Sequence, residues 1–450
     1  MNAYAPQTDA LRAVVDELLP WMTETLSTFV AARSPSGAEE PAADFLEGVF
    51  ESFGLESERI LLDSRLIASS PLFSCACDPD NGRYNLLARH LPRASGGRSV
   101  LFNGHLDVVP TGPDALWSRP PFEPWVADGW LHGRGAGDMK GGIVCALAAL
   151  LALRRLGLQP AGTVGFNAVL EEENTGNGTL ATVHALQHTL ARAKLSDFDA
   201  VIIPEPFGET LMSAQVGVCW LFIEITGRPA HVAAMDQGIN PIEAGIAIMA
   251  ELKQLEAEWN APDRRHPAFA DVPHPLNFNL GRIEGGEWNS SVPCTCTLGI
   301  RFGFYPGVSA DDATRAVSDR IRVTAARLNP VLAVSIEACG HRSPGCLYNL
   351  EVPAMQALAR AHEQVNGSPP QRLPCTATTD GRHFALATDI PVTNYGPLAR
   401  HIHGIDEAVS LASMVRVTTV MARFLVDWCG VEPVSTDRAE INAPGDVLGG

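Results

Sequence analysis

A histidine and an aspartate two residues apart follow an apolar stretch of the sequence. His105 stands at the end of residues 99–103, which have the composition of a buried strand, and Asp107 follows it. A metal-binding imidazole usually donates its other ring N–H to a carboxylate or carbonyl, which fixes the tautomer of the ring. The pair therefore fits a metal ligand and the residue that orients it, and a loop histidine beside a loop aspartate is the alternative interpretation.

Further acids and a second histidine stand at comparable places. Asp138 lies in the glycine-rich residues 133–142, where the backbone can turn tightly and approach a bound ion. The others also come after apolar runs: Glu171, Glu172 and Glu173 after residues 163–170, Glu205 after 200–203, and His403 after 390–395. The alternatives are an N-capping aspartate in a glycine-rich turn and a solvated run of acids.

Together these residues indicate a transition-metal site. Ligands bind at the carboxyl edge of an open α/β sheet, so four strand ends would bring the side chains together. Burial of adjacent carboxylates is costly unless a cation compensates their charge. A mixed set of histidines and carboxylates suits zinc, cobalt or manganese better than calcium or magnesium.

The elements that must position these residues alternate between short apolar runs and helical patterns. This alternation predicts an α/β fold, with a mostly parallel sheet and helices on both faces. From about Met212 the pattern changes, and Val218, Trp220 and Phe222 alternate with other residues as in an antiparallel strand with one covered face. We expect a catalytic domain in two parts, residues 1–213 and 339–450, interrupted by a small α+β domain at residues 214–338.

Two helices are expected in the inserted domain. Asn240 before Pro241 predicts the start of the first helix, and Ser309 with Asp312 predicts the start of the second. The first helix should bury one apolar stripe, formed by Ile242, Ile246, Met249, Leu252, Leu255 and Trp259.

Composition excludes several classes of function. The 450 residues carry a formal charge of -18 at pH 7, so the surface repels phosphate backbones and anionic lipid, and we expect no nucleic-acid or membrane partner. The first residues do not resemble a signal peptide, which predicts a cytoplasmic protein with reduced cysteines. A phosphate-binding NTPase is excluded because the G-x-x-x-x-G-K-[ST] spacing is absent.

With these residues at these positions, the sequence resembles the M20 metallopeptidases and deacylases. That family includes acetylornithine deacetylase, succinyl-diaminopimelate desuccinylase, aminoacylase-1 and glutamate carboxypeptidases. The resemblance covers about residues 85–424 and is strongest over residues 104–107, Trp117, residues 121–122 and residues 133–142. It implies a zinc-peptidase-like catalytic domain with an inserted lid and dimerisation domain, two divalent metal ions per subunit and a homodimer.

The resemblance also implies roles for individual residues. Asp138 would bridge the two ions, which are expected to be Zn²⁺, with Co²⁺ or Mn²⁺ as alternatives. His105 and Glu205 would complete one metal site. Glu173 and His403 would complete the other.

Catalytic and substrate-binding roles follow from the same resemblance. Glu172 would be the general base, and Asp107 belongs to the catalytic set. His231 matches a histidine that the small domain sends toward the substrate oxyanion, in cis or in trans. Arg301 matches a position associated with a substrate carboxylate.

The sequence departs from the family pattern at two places. Glu171 stands where the family usually has aspartate, and His401 lies close enough to His403 to be an alternative ligand. Residues 61–81 match no feature that we can assign.

The expected function is hydrolysis of the amide bond of N-acyl amino acids, as in acetylornithine deacetylase. A metallo-carboxypeptidase or dipeptidase on the same scaffold is the closest alternative, because the chemistry is the same and only the pocket differs. A non-catalytic metal-binding protein is a further alternative, which a missing base or ligand would favour.

Overall fold

Helices and strands alternate along most of the computed structural model, which describes residues 4–75, 80–94, 96–190 and 192–434. The helices are α1 (Thr8–Ala31), α2 (Glu40–Ser52), α3 (Ser64–Ile67), α4 (Gly141–Arg155), α5 (Asn177–His188), α6 (Pro241–Trp259), α7 (Ala310–Leu328), α8 (Pro353–Asn366), α9 (Gly381–Ala387) and α10 (Leu411–Cys429). The strands are β1 (Glu56–Leu61), β2 (Tyr84–His90), β3 (Val100–His105), β4 (Trp125–Ala127), β5 (Trp130–His132), β6 (Leu158–Pro160), β7 (Val164–Val169), β8 (Val201–Ile203), β9 (Leu211–Gln215), β10 (Gly217–Thr226), β11 (Ala230–His231), β12 (Phe278–Gly285), β13 (Ser291–Val292), β14 (Thr295–Phe304), β15 (Ala333–Ser343), β16 (Cys346–Leu347), β17 (Arg372–Cys375), β18 (Val392–Asn394), β19 (Ala399–Arg400), β20 (Ala408–Ser410) and β21 (Val431–Pro433).

A six-stranded sheet, in the order β1–β2–β7–β3–β8–β18, forms the centre of the larger part of the molecule. The neighbours β7, β3, β8 and β18 are parallel, whereas β2 runs antiparallel to both of its neighbours. The mostly parallel sheet expected from the sequence is therefore confirmed. Because four strands run in the same direction, their carboxyl ends meet at one edge.

Helices cover both faces of this sheet. Successive residues of a strand point to opposite faces. On one face Phe102 stacks on Phe166, with 5.7 Å between ring centroids, and Phe166 contacts Phe50 of α2. On the other face Nδ2 of Asn103 donates to Oγ1 of Thr179 in α5 at 3.1 Å.

A four-stranded antiparallel sheet, in the order β12–β14–β10–β15, forms the smaller part, and α6 and α7 share its apolar core. The two helix starts are as expected, because Oδ1 of Asn240 accepts the amide N–H of Ile242 and Oγ of Ser309 accepts that of Asp312, both at 3.0 Å. The last strand, β15, continues to Ser343, past the expected domain boundary at residue 338.

Two details of the apolar pattern in this part need correction. The helix-covered face of β10 carries Cys219, Leu221, Ile223 and Ile225, so the face of Trp220 and Phe222 is the half-exposed one. Ile246, expected in the buried stripe of α6, is 61% exposed. Both segments are apolar on more than one face, and periodicity alone does not say which face meets the core.

Helix α4 is the most apolar helix of the larger part. The run Ala136–Arg155 is long and apolar enough to cross a membrane, but 94% of its most apolar window is buried within the protein, as in a core helix. The expectation that all cysteines are reduced is wrong for Cys339, which is disulfide-bonded. The sequence does not show which thiols the fold brings within bonding distance.

Candidate active site

His105 is the last residue of β3, and its side chain is fully buried at the carboxyl edge of the central sheet. Its Nε2 lies 3.0 Å from Oδ1 of Asp138 and 3.9 Å from Oε1 of Glu205. Its Nδ1 lies 2.8 Å from the backbone carbonyl oxygen of Asp107. The ring therefore turns Nε2 toward two carboxylates, the orientation that a metal-binding imidazole needs.

The side chain of Asp107 has a different partner from the expected one. Its nearer carboxylate oxygen is 3.7 Å from Nδ1 of His105, so the backbone carbonyl and not the carboxylate orients the ring. The carboxylate instead accepts the amide N–H groups of Glu172 and Glu173, both at 3.1 Å, and the hydroxyl of Ser36 at 2.9 Å. Asp107 thus fixes the backbone that carries the expected base and one expected ligand.

Asp138 lies in the loop before α4, and Glu407 holds this loop in place. Oε1 of Glu407 accepts the backbone amides of Gly135, Gly137 and Asp138 at 3.0–3.1 Å. Its Oε2 pairs with Nη1 of Arg134 at 2.5 Å. The φ angle of Gly135 is +83°, a conformation that glycine adopts without steric cost, so the loop can wrap around the Glu407 carboxylate.

Glu205 follows β8 and lies beside the first turn of α4. The helix and the strand end approach so closely that a Cβ on Gly142 would lie 1.8 Å from the carbonyl oxygen of Pro204. Any larger residue at position 142 would push α4 away from the strand that carries Glu205. The close approach explains the glycine at position 142.

His403 and Glu173 form the second half of the cluster. Nε2 of His403 lies 3.0 Å from Oε2 of Glu173 and 3.3 Å from Oδ2 of Asp138. The two oxygens of Asp138 therefore face different histidines, which is the arrangement of a bridging carboxylate. His401 and His403 are both exposed, but within the described part of the chain only His403 makes ion pairs with these acids, so the geometry favours His403.

The charges of the cluster fit two divalent cations. Four carboxylates converge here, those of Asp138, Glu172, Glu173 and Glu205. Burial raises the pKa of the three glutamates. Against the effect of burial, hydrogen bonds to Asp138 and Glu173 raise the pKa of His403 to about 11. Two divalent ions would balance four ionised carboxylates and would be bound by neutral imidazoles, a donor set that suits zinc.

Arg301, on β14, lies where the small sheet meets the larger part. Its guanidinium donates to the carbonyl oxygens of Asn277 and Thr376, at 3.1 and 3.3 Å. Burial lowers the pKa of Arg301, with a small opposing effect from Cys375. Among the described residues no carboxylate pairs with this arginine, so its charge is free to meet an anionic group.

His231 lies apart from the cluster within a single chain. It is exposed at the end of β11, and its Nδ1 accepts the amide N–H of Ala233 at 3.1 Å. None of its hydrogen bonds in the described ranges reaches the carboxylates. The structure of one chain therefore does not bring His231 to the other expected site residues.

Two charged residues that the sequence analysis did not single out act electrostatically on Glu172. Asp380 adds to the effect of burial in raising the pKa of Glu172, and Arg382 opposes it. Arg382 is fully buried and donates to the carbonyl oxygens of Thr379 and Thr175, at 2.8 and 3.0 Å. The signal available in the sequence was an aspartate and an arginine on either side of Gly381, followed by His383.

Comparisons with known proteins point to one family. Residues 101–427 match the sequence profile of peptidase family M20/M25/M40. A succinyl-diaminopimelate desuccinylase of Maricaulis maris (strain MCS10) is 29% identical over 360 residues, which cover 78% of this chain and 86% of that protein. An N-formyl-4-amino-5-aminomethyl-2-methylpyrimidine deformylase of Bacillus subtilis (strain 168) is 28% identical over 352 residues, which cover 74% of this chain and 79% of that protein.

Solved structures share the fold at lower sequence identity. The dipeptidase Dug1p from Saccharomyces cerevisiae superposes with a TM-score of 0.75 at 15% identity, covering 94% of this chain and 98% of that chain. Human carnosine dipeptidase 1 gives a TM-score of 0.73 at 16% identity, covering 94% of this chain and 99% of that chain. At such identities the likeness shows the fold alone.

Proposed function

The chain belongs to peptidase family M20/M25/M40 and is an amide-bond hydrolase, and we propose that it removes the acyl group of N-acyl amino acids with two bound divalent ions. The cluster of His105, Asp138, Glu173, Glu205 and His403 would hold the ions, and zinc is the proposed metal. Two relatives that align over about three quarters of the chain are named for removal of a succinyl and of a formyl group. These names support an acyl-amine substrate.

Arg301 is the residue on which we base the proposed substrate class. It is a half-buried cation without a carboxylate partner among the described residues, and it adjoins the segment that leads to Asp380. An arginine in this state binds a carboxylate well because its planar guanidinium can donate two parallel hydrogen bonds. We assign to it the free carboxylate of an amino acid whose amine is acylated.

The groups of the cluster would have separate roles in hydrolysis. Bound divalent ions would lower the pKa of a water molecule and polarise the scissile carbonyl. Glu172 would accept the proton of the attacking water and pass it to the departing amine. Its backbone is held by Asp107, so the carboxylate stays in one place while it changes protonation state.

We propose that His231 acts from a second subunit. It is exposed in one chain, and the small domain also exposes large apolar side chains: Ile246 on α6 at 61%, Ile283 on β12 at 52% and Trp288 at 74% exposure. Exposed apolar side chains of this size favour an interaction with a partner. A homodimer formed through the small domain would cover them and could present His231 to the oxyanion of the other subunit.

The proposal is tested by measuring amine release from purified protein with added Zn²⁺ or Co²⁺ and with a chelator. The substrates are N-acetyl, N-succinyl and N-formyl amino acids, the same compounds with an amidated carboxylate, and dipeptides. We expect chelator-sensitive release from one or more N-acyl amino acids and little release from the amidated compounds. The Asp138→Asn protein, purified in parallel, controls for a contaminating hydrolase.

Other outcomes would change the proposed substrate class or the role of Arg301. Release from dipeptides alone would replace the proposal by a dipeptidase or carboxypeptidase, because Arg301 can also bind the carboxylate of a peptide. Equal release from free and amidated substrates would remove Arg301 from substrate binding. No release from any substrate by the zinc-loaded protein would contradict the proposed substrate class.

A further inference from the structure

A partly buried arginine joins two buried glutamates, one of which belongs to residues 171–173, which we call the acidic loop. Nη1 of Arg83 donates to Oε1 of Glu39 at 3.0 Å, and Nη2 of Arg83 forms an ion pair with Glu171. The side chain of Arg83 is 11% exposed and those of both glutamates are 1% exposed. We call Glu39, Arg83 and Glu171 the buried triad.

One member of the triad directly precedes the proposed base. Glu171 has φ +60°, a left-handed conformation that residues with a Cβ seldom adopt. Its carbonyl oxygen accepts the amide N–H of Thr175 at 3.0 Å, and its Oε2 accepts the Thr175 hydroxyl at 2.6 Å. The loop thus turns sharply at Glu171, and the ion pair with Arg83 holds the side chain at that turn.

The same N-terminal segment that supplies Glu39 also reaches the other side of the loop. Glu39 is the N-cap residue of α2, and its Oε1 accepts the amide N–H of Gly37 at 2.8 Å. Next to it, the hydroxyl of Ser36 donates to the Asp107 carboxylate, which in turn accepts the two amides of the acidic loop. Residues 36–39 therefore contact the loop through two separate routes.

We infer that Arg83 is a positioning residue, which acts through Glu171 to fix the backbone that presents Glu172 and Glu173 to the metal cluster. The inference rests on the proposed function. Glu171 is the member of the triad that lies in this loop, one residue before the proposed base. Its carboxylate pairs with Arg83, whose charge is shared between Glu171 and Glu39.

Loss of the arginine would leave two buried carboxylates without their shared cation. Two buried carboxylates without a cation are unstable, so each one must be hydrated, take up a proton or pair with another group. Any of these changes moves Glu171, and with it the turn that precedes the base. Residues that orient metal ligands typically contribute about 10-fold to 100-fold to metal affinity or activity.

The test compares Arg83→Ala and Arg83→Lys with Arg423→Ala as a matched control. Arg423 is also 11% exposed and also pairs with an acid, Asp427, but it lies on α10 and has no contact with the acidic loop. Measurements are kcat and KM for the substrate identified above, zinc affinity by calorimetry, and the melting temperature. For Arg83→Ala we expect kcat and zinc affinity each to fall about 10-fold or more, with KM within about 3-fold of the native value.

Arg83→Lys should recover part of the loss, because one ammonium keeps a cation between the two acids but cannot donate in the same fork. Arg423→Ala should lower the melting temperature without changing kcat or zinc affinity. The inference is overturned if Arg83→Ala is destabilised like the control and keeps native kcat and zinc affinity. Should Arg83→Ala not fold, the lysine variant carries the comparison, and native zinc affinity and kcat in it would equally overturn the inference.

Failure of the proposed function can be distinguished from failure of the inference about Arg83. If the native protein hydrolyses none of the amides, the substrate proposal fails. Zinc calorimetry still decides the role of Arg83, because it needs no substrate. A native protein that binds two zinc ions and an Arg83→Ala protein that binds them with lower affinity would support the inference alone.

Discussion

Replacing Glu172 by glutamine removes the proposed general base while changing little else. Glutamine has nearly the same volume, and the hydrogen bond from residue 172 to Asp107 uses the backbone amide, at 3.1 Å, which the substitution keeps. The variant loses one negative charge and the only group on this side chain that can accept a proton from water. The other carboxylates of the cluster remain.

The expected loss follows from the role. General-base catalysis by a positioned side chain contributes about 10²-fold to 10⁴-fold in rate. This corresponds to about 2.7–5.4 kcal/mol of transition-state stabilisation. Because the five proposed metal ligands are untouched, we expect zinc content to stay at two ions per chain. KM should change by less than about 3-fold, since substrate binding depends on other groups.

The assay combines steady-state kinetics with zinc content measured by atomic emission spectroscopy. Glu256→Gln is the matched control, because Glu256 is 5% exposed, close to the 7% of Glu172, but lies in the small domain. A near-native kcat in Glu172→Gln would refute the assignment of the base. Loss of zinc would mean that Glu172 is itself a ligand, a role that its approach to His105 and Glu205 within 4.8 Å also permits.

Four other predictions concern the remaining site residues. Arg301→Ala should raise KM by about 10-fold to 100-fold for substrates with a free carboxylate, the scale of a hydrogen bond to a charged group, and leave KM for amidated substrates unchanged. His403→Ala should reduce bound zinc from two ions to one, as measured by emission spectroscopy, whereas His401→Ala should retain both; the reverse pattern would exchange their roles. His231→Ala should lower kcat without changing zinc content, and loss of metal instead would place it in the cluster. Because the pKa of His403 is raised to about 11 in the metal-free protein, its ring is protonated at neutral pH and zinc must displace that proton. Zinc affinity should therefore rise from about pH 6 to about pH 8, with proton release seen by calorimetry in buffers of different ionisation enthalpy, and a pH-independent affinity would contradict the protonated ring.

The ends of the buried strands could be predicted from the sequence, and they locate most of the site residues. A buried parallel strand is a continuous apolar run, and the residue after it must lie at the carboxyl edge of the sheet. This reasoning predicts that His105, Glu173, Glu205 and His403 lie at one edge of the sheet. The structure places all four there, within contact of Asp138 or of each other.

Hydrogen-bond partners that are distant in the sequence could not be predicted from sequence patterns. Asp107 stands two residues from His105, and proximity in the sequence suggested a side-chain contact that the structure replaces by a backbone carbonyl. Glu407 holds the loop of Asp138 from more than 260 positions away, as its contacts with that loop show. A hydrogen bond depends on distance and direction in space, and neither is encoded by residue type.

The order of residue types along the chain defines which groups are available for chemistry and where the elements that carry them end. Local patterns suffice for this, because the helical and strand periods and the capping residues act within a few positions. Which groups share the site depends on tertiary packing: His403 rather than His401 meets Asp138 and Glu173, and Arg83 joins Glu39 to Glu171. Such contacts form where distant segments pack together, and their geometry depends on the whole core that brings those segments into place.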